Sequence, residues 1–187
     1  REIIDSVLDG DNEAYSELVL RYQDRLLGFC YSMLYRRAEA EDAAQEIFIK
    51  AYRSLPDFRG DSSFSTWLYR IAFNHCSSLR KRAAARSTES FDAMTDQRRE
   101  ELLSSPGAVT DAQPCEDMAA SAMLALPEAY RAAMAMRLEG EDYKAIADSL
   151  GISVDSVKAR LRRARIILRD KLRHFLPEGT SNTTEEE

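Results

Sequence analysis

Helix breakers are scarce in this chain. Its 187 residues include 7 Gly and 5 Pro, below the average usage of roughly 7% and 5%. So few turn-formers over this length favour helices. Cysteine is scarcer still. Cys30, Cys76 and Cys115 are odd in number and far apart, with no C-x-x-C, which argues against a disulfide framework and for a reducing cytosol. The two histidines, His75 and His174, sit in no E-x-x-H or H-E-x-x-H pattern, so no metal-ligand spacing is present. No Gly is followed by Lys and there is no G-x-G, which removes the usual phosphate-cradling loops. Apolar runs fall short of the ~18 residues a membrane helix needs. The opening Arg1-Glu2-Ile3-Ile4-Asp5 lacks the charged-then-apolar pattern of a secretion signal, and the expected location is the cytoplasm. The first residue is not Met, so further residues are expected before it. Neither a metal nor a cofactor is expected.

Charge is plentiful but unevenly placed. The 26 Lys+Arg and 32 Asp+Glu leave a net charge of −6, which seems to disfavour a polyanionic partner. Between Gly151 and His174, however, eight basic residues face only Asp155 and Asp170, a local balance of +6. Arg80-Lys81-Arg82 with Arg86 forms a second basic cluster. The acid lies at Glu39 to Glu46, in the middle segment and at Glu185-Glu186-Glu187. Such asymmetry suggests that selected faces meet a polyanion.

Along the chain, residues 1–86 carry dense helical periodicity. Residues 87–118 do not, and collect Ser, Thr, Asp, Gln and two prolines as a linker would. Residues 119–176 are periodic again, and 177–187 form a polar tail expected to be disordered. No repeat or useful strand alternation is visible. The expected fold is all-α: two small helical modules joined by a flexible linker, the second containing a helix-turn-helix. Proteolysis of the free chain is expected between Ser87 and Asp117.

In the first module, Cys30 falls on an apolar helical stripe and reads as core. A helix from about Ala40 to Leu55 buries Ala44, Ile47, Phe48, Ala51 and Leu55. Its other face carries Asp42, Gln45, Glu46, Ile49, Lys50 and Arg53. An apolar residue ringed by charge, as Ile49 is, suits a small docking patch for a partner helix. The loop Leu55 to Phe64 follows, with Ser63 or Ser65 able to cap the next helix. Phe58, Phe64, Trp67, Tyr69 and Phe73 fall within 16 positions of one another, interleaved with Arg59, Arg70 and Asn74. Rings beside cations suit unpaired bases and phosphates. Leu68, Ile71 and Ala72 are expected inside, with at least two of the five rings.

In the second module, Tyr143 to Val157 fits a helix-turn-helix. Ala147 permits close crossing, Gly151 suits a turn of positive φ, and Ser153 is a good N-cap. Val157, Leu161, Ala164 and Leu168 are expected inside. Asp155, Ala159, Arg162, Arg163 and Ile166 lie opposite, with Lys158 and Arg160 on the flanks. This is the composition of a major-groove reading helix.

These residues resemble bacterial sigma factors of the extracytoplasmic-function group. Asp42 through Tyr52 resembles that group's region 2.2 helix. Phe58-Arg59-Gly60-Asp61-Ser62-Ser63-Phe64, with Thr66 to Ala72 and Asn74, is similar to its promoter-melting segment. Leu126-Pro127-Glu128 through Leu172 resembles region 4. The resemblance implies that Asp42, Gln45, Glu46, Ile49 and Lys50 dock on core RNA polymerase. It implies that Phe58, Arg59, Ser62, Phe64, Trp67, Arg70 and Asn74 meet the melted minus-ten element, with one base flipped at a few kcal/mol of lost stacking. It implies that Ser156, Lys158, Ala159, Arg160, Arg162, Arg163 and Arg165 read the minus-thirty-five duplex. An anti-sigma partner is implied by the resemblance alone.

Two other classes explain less. A helix-turn-helix repressor or response regulator accounts for the second module but leaves the aromatic loop and docking helix unused. An enzyme would need a site: Asp42 and Glu46 share a helix face, but such a pair is usually solvated, and no catalytic residues are expected.

Overall fold

The computed structural model describes residues 2–92, 119 and 121–173, without the side chains of 86–92. The expected linker beyond Asp92, Cys115, His174 and the acidic tail lie outside the described residues. Seven named α-helices contain most of the described chain, and no strand occurs among those residues. They are α1 (Glu2–Leu8), α2 (Asn12–Leu34), α3 (Arg37–Ser54), α4 (Phe64–Asp92), α5 (Glu128–Leu138), α6 (Tyr143–Leu150) and α7 (Val154–Leu172). A 3-10 turn, Leu55–Asp57, joins α3 to the loop before α4, and a short helical segment occupies 121–124.

Local chemistry sets these ends. Asp11 Oδ1 accepts from the N–H groups of Glu13 and Ala14 at 3.0 and 3.2 Å and starts α2. Ser63, the first of the two candidate caps, accepts from the Thr66 N–H at 3.1 Å and starts α4. Asp142 and Ser153 do the same for α6 and α7, at 2.7 and 3.2 Å. Each satisfies an N–H that the first turn leaves without a helical partner. Gly151 ends α6 with φ 65°, a left-handed conformation that glycine enters without Cβ strain.

α3 begins at Arg37, three residues before the expected start. Arg36–Glu39 and Arg37–Glu41 pairs at 3.4 and 2.9 Å support that added turn. α4 continues to Asp92, beyond position 86 where the sequence reading ends the first module. The small polar residues there resemble a linker, but no Gly or Pro interrupts the helix before Asp92.

α2 is the central element, packed against α1, α3, α4 and α5. Around it, Leu26, Phe29, Cys30, Met33, Ile47, Ala51, Leu68, Ala72 and Cys76 are almost completely buried. Leu126, Met136, Ile146, Val157 and Leu161 continue the same core into the second module. The modules therefore meet directly rather than standing as the independent units expected from the sequence. Cys30 is core as expected. Its Sγ faces Cys76 Sγ at 4.0 Å, and that contact, with burial, pushes the Cys30 thiol well above its ordinary pKa. A thiol held protonated in this way is a poor nucleophile.

Candidate docking face and nucleic-acid interface

Three exposed surfaces emerge from this packing. The first is the outer face of α3. Ala40, Ala43, Ala44, Ile47, Phe48 and Ala51 point inward. The 3.6-residue period then turns Asp42, Gln45, Glu46, Ile49 and Lys50 outward, and all five are exposed. Ile49 is 50% exposed despite being apolar. Lys50 lies one helical turn from Glu46, with Nζ 3.9 Å from Oε2. Beneath them sits His75 of α4, only 7% exposed. Lys50 Nζ contacts His75 Nδ1, and Glu46 Oε2 lies 3.5 Å from His75 Nε2.

The second surface is the loop before α4 and the first turns of that helix. Phe58, Phe64 and Trp67 form one cluster, with ring centroids 5.2 to 6.2 Å apart. Phe64 also packs on Tyr22 at 5.3 Å. Phe64 and Tyr69 are the two rings of the five that are buried, while Phe58, Trp67 and Phe73 are half-buried. Phe64 thus supports the cluster from beneath. Arg59, Arg70 and Asn74 are exposed and Ser62 is half-buried. Asn74 and Phe73 line a groove of about 500 Å³ with Ser77, Ser78, Lys81, Glu128 and Ala129.

The third surface is on α7. Val157, Leu161 and Ala164 are buried and Leu168 half-buried. Lys158, Ala159, Arg162, Arg163 and Arg165 are exposed, and Ser156 and Arg160 half-buried. Ser156 carries the capped N–H of the first turn. Arg163 also reaches the Tyr130 hydroxyl at 3.3 Å. The basic side chains therefore form an open, positively charged helix face.

Polar contacts between the modules were not foreseen. Arg25 of α2 donates to the Glu139 carbonyl at 2.8 Å and pairs with the buried Glu141 carboxylate at 2.7 Å. Ser149 Oγ donates to the Thr66 carbonyl at 3.0 Å, the Arg70 guanidinium donates to the Asp148 carbonyl, and Ser77 contacts Glu128. Gly28 makes room for the Glu139 carboxylate, which a Cβ there would strike. Burial raises the Glu139 pKa above the ordinary carboxylate value, with Arg25 opposing the shift. Arg131 is 2% exposed and donates to the carbonyls of Met33, Leu124 and Leu126 at 3.3, 3.1 and 2.8 Å. Its only sequence signal is its position as the single charge between Ala129 and Met136.

Comparison with known proteins identifies the family of both modules. The sigma-70 region 2 family matches residues 18–86, and the sigma-70 region 4 family matches residues 117–168. The chain is similar to the RNA polymerase sigma-H factor of Pseudomonas aeruginosa, with 35% identity over 96% of each chain. It is also similar to the ECF RNA polymerase sigma-E factor of Escherichia coli K12, with 35% identity over 93% of this chain and 94% of the other. The solved structure of CnrH in complex with the cytosolic domain of CnrY shares the fold, with TM-score 0.68, 24% identity, and 92% and 96% of the two chains covered. So does the sigma factor RpoE of Bartonella quintana in complex with the anti-sigma factor NepR, with TM-score 0.68, 23% identity, and 85% and 96% covered. Two helical modules, each matched to one promoter-binding region, define a transcription initiation factor. The chain belongs to the extracytoplasmic-function group of the sigma-70 family.

Proposed function

We propose that the three exposed surfaces divide the work of initiation. Asp42, Gln45, Glu46, Ile49 and Lys50 on α3 bind core RNA polymerase. Phe58, Arg59, Ser62, Trp67, Arg70 and Asn74, with Phe64 beneath them, bind the melted minus-ten strand. Ser156, Lys158, Ala159, Arg160, Arg162, Arg163 and Arg165 meet the minus-thirty-five duplex. The exposed basic face of α7 behind a capped helix-turn-helix carries this reading. Guanidinium groups suit guanine edges and phosphates, and Ala159 suits a thymine methyl. An anti-sigma factor is the proposed inhibitor, supported by the Bartonella quintana sigma factor, which shares this fold and was solved with one. The place of action is the bacterial cytoplasm. No helix among the described residues is long and apolar enough to cross a membrane.

The test is transcription with purified core polymerase on a candidate promoter, with and without this chain. Initiation at one start site only when the chain is present supports the proposal. DNA binding without initiation overturns it in favour of a repressor. Glu46→Lys with Ile49→Ala tests the docking face separately: core binding falls while helicity is kept.

A further inference from the structure

His75 lies buried beneath the α3 face and is not one of the exposed residues assigned to any surface. Its side chain is 6% exposed, whereas those of Glu46 and Lys50 above it are 61% and 48% exposed. It belongs to α4, and they belong to α3. Its two ring nitrogens face different partners: Nδ1 the Lys50 ammonium, Nε2 the Glu46 carboxylate at 3.5 Å. One protonation state suits both. An ammonium can only donate, so Nδ1 must be the bare acceptor. The ring proton then sits on Nε2, directed to the carboxylate side. A doubly protonated ring would lose the acceptor and set two cations against each other.

We propose that His75 is a positioning residue for polymerase docking: as the neutral Nε2–H tautomer it accepts from Lys50 through Nδ1 and holds that ammonium one turn from Glu46 on the outer face of α3, while Nε2 lies 3.5 Å from the Glu46 carboxylate without a hydrogen bond. This rests on the reading of that face as the docking surface. Two long charged side chains one turn apart gain little from each other in water. A buried anchor on a neighbouring helix removes the rotamer freedom that binding would otherwise have to remove. The surrounding charges favour the neutral ring. Burial lowers the His75 pKa most, Lys50 and Arg82 lower it further, and Glu46 opposes them.

The experiment measures core polymerase affinity for the full chain by fluorescence anisotropy between pH 5.5 and 7.5. His75→Leu removes the acceptor for Lys50 and is expected to weaken binding roughly five- to tenfold at pH 7.5, the scale of one ordinary hydrogen bond. His75→Asn keeps an acceptor near the Nδ1 position and is expected to stay within about twofold of wild type, on the same scale. Wild-type affinity falls only at pH values below the ordinary histidine value, because burial, Lys50 and Arg82 lower the His75 pKa, while His75→Asn stays flat. Loss of binding by both variants together with an unchanged pH profile assigns His75 a packing role only and overturns the proposal. If His75→Leu does not fold, His75→Asn and the pH profile decide alone. If Glu46→Lys with Ile49→Ala weakens binding but neither His75 variant nor pH does, this inference fails and the docking face stands. If that double variant binds normally, the docking face fails and this inference with it.

Discussion

Arg131→Met tests whether the two modules share one cooperative core. The methionine keeps most of the apolar stem and removes the guanidinium. Three carbonyls lose a donor: Met33 in the last turn of α2, and Leu124 and Leu126 at the entry to the second module. The last carbonyls of a helix have no helical partner and favour a cation. Each hydrogen bond to a charged group is worth about 1.5–3 kcal/mol net. The three do not add, because removing Arg131 also removes the several kcal/mol needed to desolvate a buried cation. A net loss of about 3 kcal/mol follows from these opposing terms. At about 2–4 °C per kcal/mol for a chain of this size, Tm should fall by about 6–12 °C. Calorimetry and urea melts followed by far-UV circular dichroism provide the measurement. A single transition that moves as a whole is expected, since Arg131 links α2 to residues 124 and 126. A variant within about 0.5 kcal/mol of wild type, the range of an ordinary surface change, would show that desolvation cancels the three bonds. Two separated transitions would show that the modules unfold independently.

Three further perturbations probe the junction and the DNA surfaces. Glu139→Gln should raise stability at pH 7 and converge with wild type at acidic pH, measured by thermal melts. Its folded pKa is raised, so the unfolded chain ionises first and stability falls as pH rises through the carboxylate range. Asn74→Ala should bind upstream duplex nearly normally yet open the promoter poorly by permanganate footprinting, whereas Arg162→Ala should lose upstream binding first, by about 1–3 kcal/mol if the contact is bidentate to a base. Normal opening by Asn74→Ala would remove it from the proposed minus-ten contacts.

Periodicity made much of the fold legible. The inward stripe Ala44, Ile47, Phe48, Ala51 and Leu55 is buried throughout, because a helix on one core must repeat its apolar face every 3.6 residues. The same arithmetic turned Ile49 outward. Gly151 and Ser153 were legible because a positive φ and an N-cap each demand few residue types. The module junction was not legible. Arg25, Arg70 and Arg131 donate to backbone carbonyls, and a carbonyl leaves no mark in sequence. Nor does periodicity distinguish Phe64, buried against Tyr22, from Phe58 in the same aromatic cluster. His75 was legible only as a residue absent from metal motifs, since its partners lie 25 and 29 positions away on another helix.

Arg70 and Phe64 show how magnitudes sort the proposed minus-ten residues. The Arg70 guanidinium is exposed and engaged by the Asp148 carbonyl of the second module. Exchanging that carbonyl for a phosphate replaces one charge-assisted hydrogen bond with a stronger ion pair. The net cost of release is at most about 1.5–3 kcal/mol, the ceiling for a charged hydrogen bond, before the phosphate contact offsets it. Phe64 has no such exchange. It is 8% exposed and held by Tyr22, Phe58 and Trp67. Offering its ring to a base would expose apolar surface worth about 1.5–3 kcal/mol and abandon aromatic pairs worth about 0.5–1.5 kcal/mol each. Stacking one base returns only about 1–3 kcal/mol. Phe64 therefore stays in place and fixes its neighbours. In the proposed division of work, direct contact with the strand is assigned to Arg59, Arg70 and Asn74, with Phe58 and Trp67 presenting the ring surface that remains half open.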